Sequence, residues 1–207
     1  MRHVPGIKEE KAALRARLLA ARSALSAEQR TGAGRAIRDA LLARPEVQMA
    51  GTIAAYYSVG AEPDTRGLVY ALWKRGTYVL LPLLRPDGDL DWASYEGPDS
   101  LVPGPRGLAE PGEPPRGADA VARADVVLVP ALAVDRAGHR IGRGGGSFDR
   151  ALARVGPLIP VIALLYDDEL VGRVPVEPHD VPVRSAVRPG HGVTWLQALP
   201  PDRSAWP

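Results

Sequence analysis

Residues 139–150 read HRIGRGGGSFDR, four glycines and three arginines in a stretch of twelve. A surface turn needs one glycine, or two at most, so this density of bare backbone beside positive charge asks for a chemical reason. Gly144, Gly145 and Gly146 let backbone amides approach an oxyanion with no Cβ in the way. Arg140 and Arg143 add charge-assisted hydrogen bonds. A helix N-terminus just beyond, at SFDRALARV, favours an anion further. The stretch therefore reads as a cradle for phosphate or a similar group. It is not a Walker A loop, because no Gly-Lys-Ser/Thr ending follows. It is not the dinucleotide fingerprint either, because a G-x-G-x-x-G count from Gly142 lands on Ser147. An RGG-type RNA segment belongs to disordered repeats, which this is not. The plainer alternative stays open: a flexible connection, with Ser147 capping the next helix and Asp149 complementing its dipole.

The elements that would position this stretch are legible around it. Residues 124–130, ADVVLVP, form a continuous apolar strand of the kind buried on both faces of a parallel sheet. The glycines follow that strand and precede a helix, where ligands collect in such sheets. PVIALLY at 160–166 reads as another buried strand, as do GTIAAYY at 51–57 and TYVLLP at 77–82. RPDGDLDWASY holds a turn at Asp87-Gly88 and then alternates, which predicts a strand near a sheet edge. Residues 7–25 read as an amphipathic helix. Ile7, Leu14, Leu18 and Leu25 share one face, and Lys8, Lys11, Arg15 and Arg22 share another. Ser26 and Gln29 make a capping box for a second helix to about Ala43. A third helix runs from Thr65 to Lys74 with Asp64 as its cap. Residues 97–117, rich in proline and glycine, read as a long surface loop, and the C-terminal part reads as loop-rich. There is no internal repeat. Strands alternating with helices predict an α/β fold: a three-layer αβα sandwich with a mostly parallel central sheet, Rossmann-like, in one domain spanning 1–207.

Composition narrows the chemistry. The 207 residues carry a formal charge of +2. That mild basic bias suits an anionic small molecule and calls for no nucleic acid. The absence of cysteine excludes disulfides, thiol catalysis and a Cys-ligated zinc site. No signal-peptide core or membrane-length apolar run is visible, so the expected location is the cytoplasm, with no membrane partner. His179-Asp180 lacks partners at zinc spacing, and His139 reads as a loop residue. Tyr56, Trp92 and Phe148 are candidates for stacking on flat rings, although an aromatic is more often core.

The stretch PALAVDRAGHRIGRGGGSFDRAL resembles the signature of the 5-formyltetrahydrofolate cyclo-ligase family, Asp-x-x-Gly-x-Arg-x-Gly-x-Gly-x-Gly-Tyr/Phe-Tyr-Asp. Asp135, Gly138, Arg140, Gly142, Gly144, Gly146 and Asp149 all fall in place. KAALRARLLAARSALSAEQR is similar to the family's opening Lys-x-x-Leu-Arg helix. YYSVGAEPDT matches its Glu-containing loop, and VPVEPHDVPV its late loop. These matches, in order, cover nearly the whole chain. The resemblance implies ATP-dependent cyclisation of 5-formyltetrahydrofolate to 5,10-methenyltetrahydrofolate through an N5 imidoyl phosphate, by a monomer. It implies that Lys11 and Arg15 reach the ATP phosphates, and that residues Arg140, Ile141, Gly142, Arg143, Gly144, Gly145, Gly146, Ser147 and Phe148 wrap the nucleotide. Lys11, Arg140 and Arg143 would carry the catalytic charge. Asp149 and Asp180 would bind Mg²⁺, and Tyr57 and Glu62 would contact the folate. The family's tandem aromatic pair is Ser147-Phe148 here. Gly145 stands where some members have lysine. Arg184 replaces a usual acidic residue, and Arg188 stands where threonine is frequent. A nucleotide- or folate-binding relative that has lost or changed the reaction is the alternative that these departures leave open.

Overall fold

The computed structural model describes residues 6–196. The helices are α1 (Ile7–Ala24), α2 (Ala27–Leu42), α3 (Pro45–Gln48), α4 (Arg66–Lys74) and α5 (Ser147–Leu152). The strands are β1 (Thr52–Ala54), β2 (Tyr78–Leu84), β3 (Leu90–Ser94), β4 (Leu101–Pro103), β5 (Ala109–Pro111), β6 (Val126–Pro130), β7 (Ala133–Asp135), β8 (Arg140–Ile141), β9 (Val161–Leu164), β10 (Leu170–Val171), β11 (Ser185–Arg188) and β12 (Gly192–Trp195).

Seven strands make the main sheet, in the order β12-β11-β9-β6-β1-β2-β3. The five inner strands run parallel, and β3 and β12 close the two edges antiparallel. The period-2 alternation of strand side chains divides the core between two faces. Ile53, Val79, Leu81, Val126, Leu128, Ile162 and Leu164 meet Ile37 and Leu41 of α2 and Leu68 and Leu72 of α4. Ala54, Leu80, Val127, Val129, Val161 and Ala163 point the other way. They pack on Ala151 and Leu152 of α5 and on Ala120 and Val121 of a 3₁₀ turn. The expected three layers are present, but one outer layer is thin. α1 packs instead on a small sheet, β10-β7-β8, through Leu18, Leu132 and Ile141.

Several local expectations need correction. On α1 it is not only the leucine face that turns inward. Lys11 and Arg22 are buried while Ile7 is 46% exposed. The Ser26–Gln29 box forms reciprocally as expected, with bonds of 3.1 and 2.8 Å. Thr65, not Asp64, is the cap residue of α4, although Asp64 Oδ1 does accept the Arg66 N–H. β1 holds three residues rather than seven, because after Ala54 the chain leaves the ladder for the cleft. Residues 97–117 are not a plain loop: β4 and β5 pair antiparallel within them. The C-terminal part supplies two strands to the main sheet, β11 and β12.

Candidate active site

The parallel strands end at a cleft of about 940 Å³. β1 delivers Tyr56 and Tyr57 to it, β6 delivers Pro130, and β2 delivers Pro82 and Leu84. The cation, glycine-loop, carboxylate and folate-contact residues named from the sequence all line this one space, from Lys11 and Arg15 on α1, through Tyr57, Glu62 and the run 140–149, to Asp180 on the late loop, whereas Trp92, named as a stacking candidate, does not.

The glycine loop leaves β8, whose Arg140 and Ile141 are both buried. Ile141 has its side chain in the core beside Leu18, so only its backbone is available to a ligand. Gly144 and Gly146 have φ of +102° and +68°, which an L side chain rarely adopts. Gly146, not Ser147, caps α5. The Ser147 hydroxyl instead donates to the Gly88 carbonyl at 2.6 Å, and Arg150 Nη2 donates to the same oxygen at 2.5 Å. α5 has six residues, so its dipole is weak and the positive field comes from guanidinium groups. Arg15 Nε donates to the Gly142 carbonyl at 2.9 Å, which ties α1 to the loop. Asp135, the first residue of the glycine signature, does not line the cleft. It accepts the Ala137, His139 and Val174 N–H groups and holds the β7–β8 turn, with His139 Nδ1 3.1 Å away.

Charges in the cleft come in pairs. Lys11 Nζ donates to Asp180 Oδ2 at 2.5 Å and to Glu177 Oε2 at 2.8 Å. Arg140 Nη2 donates to Asp149 Oδ1 at 2.5 Å. Burial pulls the Lys11 ammonium down, but the two carboxylates outweigh it and hold it above its ordinary value. Burial pushes Asp180 up, yet the Glu177 N–H and the Lys11 ammonium bring it below the usual range. The hydrogen bond from Lys11 likewise lowers Glu177. Burial lowers Arg140 against the pull of Asp149, and its Nε has no acceptor among the described residues. Glu177, His179 and Asp180 offer ligand atoms within 4.8 Å of one another. Sequence reasoning missed Glu177, because a loop glutamate gains meaning only from a lysine 166 residues away.

The loop from Tyr56 to Thr65 is knotted by its own side chains. Thr65 Oγ1 donates to the Tyr56 carbonyl at 2.7 Å and accepts the Ser58 N–H at 2.9 Å, while Ser58 Oγ accepts the Thr65 N–H. This knot carries Glu62 into the cleft. Glu62 accepts the Val59 N–H at 3.0 Å and faces Arg143 Nε of the glycine loop at 3.6 Å. Burial raises the Glu62 carboxyl, with the Val59 N–H, Arg143 and Arg22 opposing. Trp92 is wholly buried, and Tyr56 is 3% exposed, so neither ring can be stacked upon. Phe148 is partly buried and lines the cleft. Arg22, Arg106 and Arg150 also line it and were not foreseen.

Asp149 and Asp180 are hard oxygen donors on either side of the contact between α5 and the late loop, where the Val181 N–H lies 3.5 Å from Asp149 Oδ1. Neither Asp149 Oδ2 nor Asp180 Oδ1 takes a hydrogen bond from the described residues, and His179 Nε2 stands 3.8 Å from Asp180 Oδ1. One uncommitted oxygen on each carboxylate fits a hard divalent cation that keeps most of its waters.

Residues 7–189 match the family model described as the 5-formyltetrahydrofolate cyclo-ligase family. The chain is 40% identical over 193 residues to a 5-formyltetrahydrofolate cyclo-ligase of Mycolicibacterium smegmatis, covering 90% of this chain and 97% of that one. It is 33% identical to the Escherichia coli protein of the same name, covering 84% of this chain and 97% of that one. Among solved structures, the 5,10-methenyltetrahydrofolate synthetase of Aquifex aeolicus superposes with a TM-score of 0.77 at 28% identity, covering 90% of this chain and 93% of that one.

Proposed function

The chain belongs to the 5-formyltetrahydrofolate cyclo-ligase family, and from that premise we propose how its cleft performs the reaction. The activity is that of an ATP-dependent ligase that closes 5-formyltetrahydrofolate to 5,10-methenyltetrahydrofolate. The N5-formyl oxygen attacks the γ-phosphorus of ATP and ADP leaves, giving an N5 imidoyl phosphate. N10 then adds to the activated carbon and loses its proton, and phosphate departs with the former formyl oxygen. Such phosphoryl transfer needs alignment and charge neutralisation rather than a protein nucleophile.

The observation that carries this reading is that Lys11, Arg15, Arg140 and Arg143 line one cleft with the glycine loop at the strand ends. The loop amides from Gly142 to Phe148 hold the phosphate chain, and Lys11, Arg140 and Arg143 neutralise the charge that builds on the transferred group. Asp149 and Asp180 would hold Mg²⁺, which when bound neutralises phosphate charge further. Tyr57 and Glu62 take the folate, the carboxylate accepting N–H groups of the pterin. The retained cations and carboxylates support catalysis over passive binding, and Ser147 trades an aromatic ring for a tether to Gly88. Among the described residues no helix is long and apolar enough to cross a membrane.

The test is direct. Purified protein is mixed with 5-formyltetrahydrofolate and Mg-ATP, and the near-ultraviolet absorbance of the methenyl product is followed. A rise that requires ATP and stops on chelation of Mg²⁺ supports the assignment. ATP binding without any rise would mean that the nucleotide cradle survives and the reaction does not.

A further inference from the structure

Two residues that line the cleft each carry a buried polar atom with no hydrogen-bond partner among the described residues: Arg140 at Nε and Tyr56 at its hydroxyl. The first belongs to the phosphate end already described. The second has no assigned task. Tyr56 is 3% exposed, and its ring packs with Ile53, Ala55 and their neighbours, work that phenylalanine would do equally well. Burying a hydroxyl without an acceptor destabilises a protein, so its presence at the wall of a ligand site points to a partner supplied by the ligand.

The surroundings define that partner. Glu62, Arg22, Tyr166 and Glu169 are the charged and polar groups within electrostatic reach of the hydroxyl. Glu169 is committed to Arg22 Nε and Nη2, and Arg22 Nη2 also reaches the Ala131 carbonyl. Tyr166 donates to the Ala61 carbonyl at 3.3 Å. Glu62 spends one oxygen on the Val59 N–H and leaves the other toward the cleft and Arg143. Within this corner the groups without a hydrogen bond from the described residues are the Glu62 oxygen that faces Arg143, which accepts, and a phenol, which donates. That pairing reads a flat ring whose edge carries N–H donors next to a carbonyl acceptor. The pterin edge has this order: the 2-amino group, N3–H, then the 4-oxo oxygen.

We propose that the Tyr56 hydroxyl is a substrate-recognition donor, hydrogen-bonded to the 4-oxo oxygen of the pterin whose N–H edge Glu62 accepts. This rests on the assignment of Glu62 to the folate made above. Tyr56 thereby fixes which way the bicyclic ring lies in the cleft, and so where the N5-formyl oxygen points.

The experiment uses Tyr56→Phe in the full chain, with 5-formyltetrahydrofolate and ATP titrated separately by calorimetry and the thermal midpoint of ligand-free protein recorded. The expected result is a loss of about tenfold in affinity for 5-formyltetrahydrofolate, unchanged ATP affinity, and a midpoint that does not fall. Equal folate affinity in variant and wild type would overturn the inference. So would a parallel loss of both ligands with a lowered midpoint, because that marks a structural hydroxyl, and so would a selective loss of ATP, because that assigns the donor to adenine. Wild-type protein that fails to bind 5-formyltetrahydrofolate would sink the assignment of function itself, which separates the two failures.

Discussion

Lys11 sits between Asp180 and Glu177, two carboxylates that neutralise it before any phosphate arrives. Replacing it with alanine removes a phosphate cation and leaves a part-buried anion uncompensated. Lys11→Ala should raise the KM for ATP by about 10- to 100-fold and leave folate affinity nearly unchanged. An unaltered ATP dependence in steady-state kinetics would remove α1 from the nucleotide site. Glu62 makes a pH prediction. Its carboxyl is raised by burial, against Arg143 from the glycine loop, Arg22 from α1 and its own Val59 N–H. A raised acid takes up a proton on folding, so the ligand-free fold loses stability as pH climbs from the free glutamate value through the raised one. A pterin held through its N–H groups needs the ionised form, so folate affinity should fall as pH drops through that same window. Glu62→Gln should abolish this dependence and weaken folate about 10- to 100-fold at neutral pH, as titration calorimetry across pH would show. At this scale the sequence made the glycine signature and its cations plain. It concealed Arg22, Glu177 and the Tyr56 hydroxyl, whose roles come from contacts with distant segments and have no local spacing.

The glycine loop works because other elements fix both its ends. Arg15 of α1 holds the Gly142 carbonyl, and Ser147 and Arg150 both grip Gly88 in the β2–β3 turn. Between these anchors Gly144 has φ +102°, and a Cβ there would lie 3.4 Å from the Arg15 guanidinium carbon. The methyl itself would meet Arg15 at ordinary contact distance, so the cost of Gly144→Ala is the left-handed backbone, a strain of roughly 1–3 kcal/mol that shifts the loop amides. The expected readout is a melting temperature lower by several degrees together with weaker ATP binding. A normal melting temperature and normal KM would show that the loop does not need its left-handed residue. The buried strands and the first two helices could be foreseen, because long apolar runs and capping signals are local. β11 and β12 could not: Ser185–Arg188 is a four-residue strand behind a proline-rich run, and its pairing partner lies more than twenty residues earlier in β9. The β4–β5 hairpin hid for the same reason, under proline and glycine that usually mark loops.

At the scale of the molecule, the cleft exists only if α1, drawn from the N-terminal end of the chain, is held against residues near the other end. The alternation of strands and helices announced the sheet, but it said nothing of how α1 attaches. The leucine stripe suggested ordinary amphipathic packing. Instead the basic face also turns inward, and Arg22 enters a buried, two-bonded pair with Glu169, 147 residues away. Both side chains are almost fully enclosed, so their pairing offsets a large desolvation cost, and removing one partner exposes that cost. Glu169→Ala leaves the Arg22 guanidinium with the Ala131 carbonyl and the face of Tyr166 but no hydrogen-bonded counter-charge, only the more distant Glu62. The loss should be about 3–5 kcal/mol, a fall of roughly 10 °C in melting temperature for a chain of this size. Because Lys11 and Arg15 ride on the same helix, ATP binding should weaken too, although neither residue was altered. Saturating Mg-ATP binds only the folded form and should restore about 2.7 kcal/mol at a hundredfold excess over Kd. Thermal unfolding of Glu169→Ala with and without nucleotide tests all three points. A fall without recovery would mean that the pair stabilises the sheet alone. A melting temperature equal to wild type would mean that α1 is held by its leucines after all.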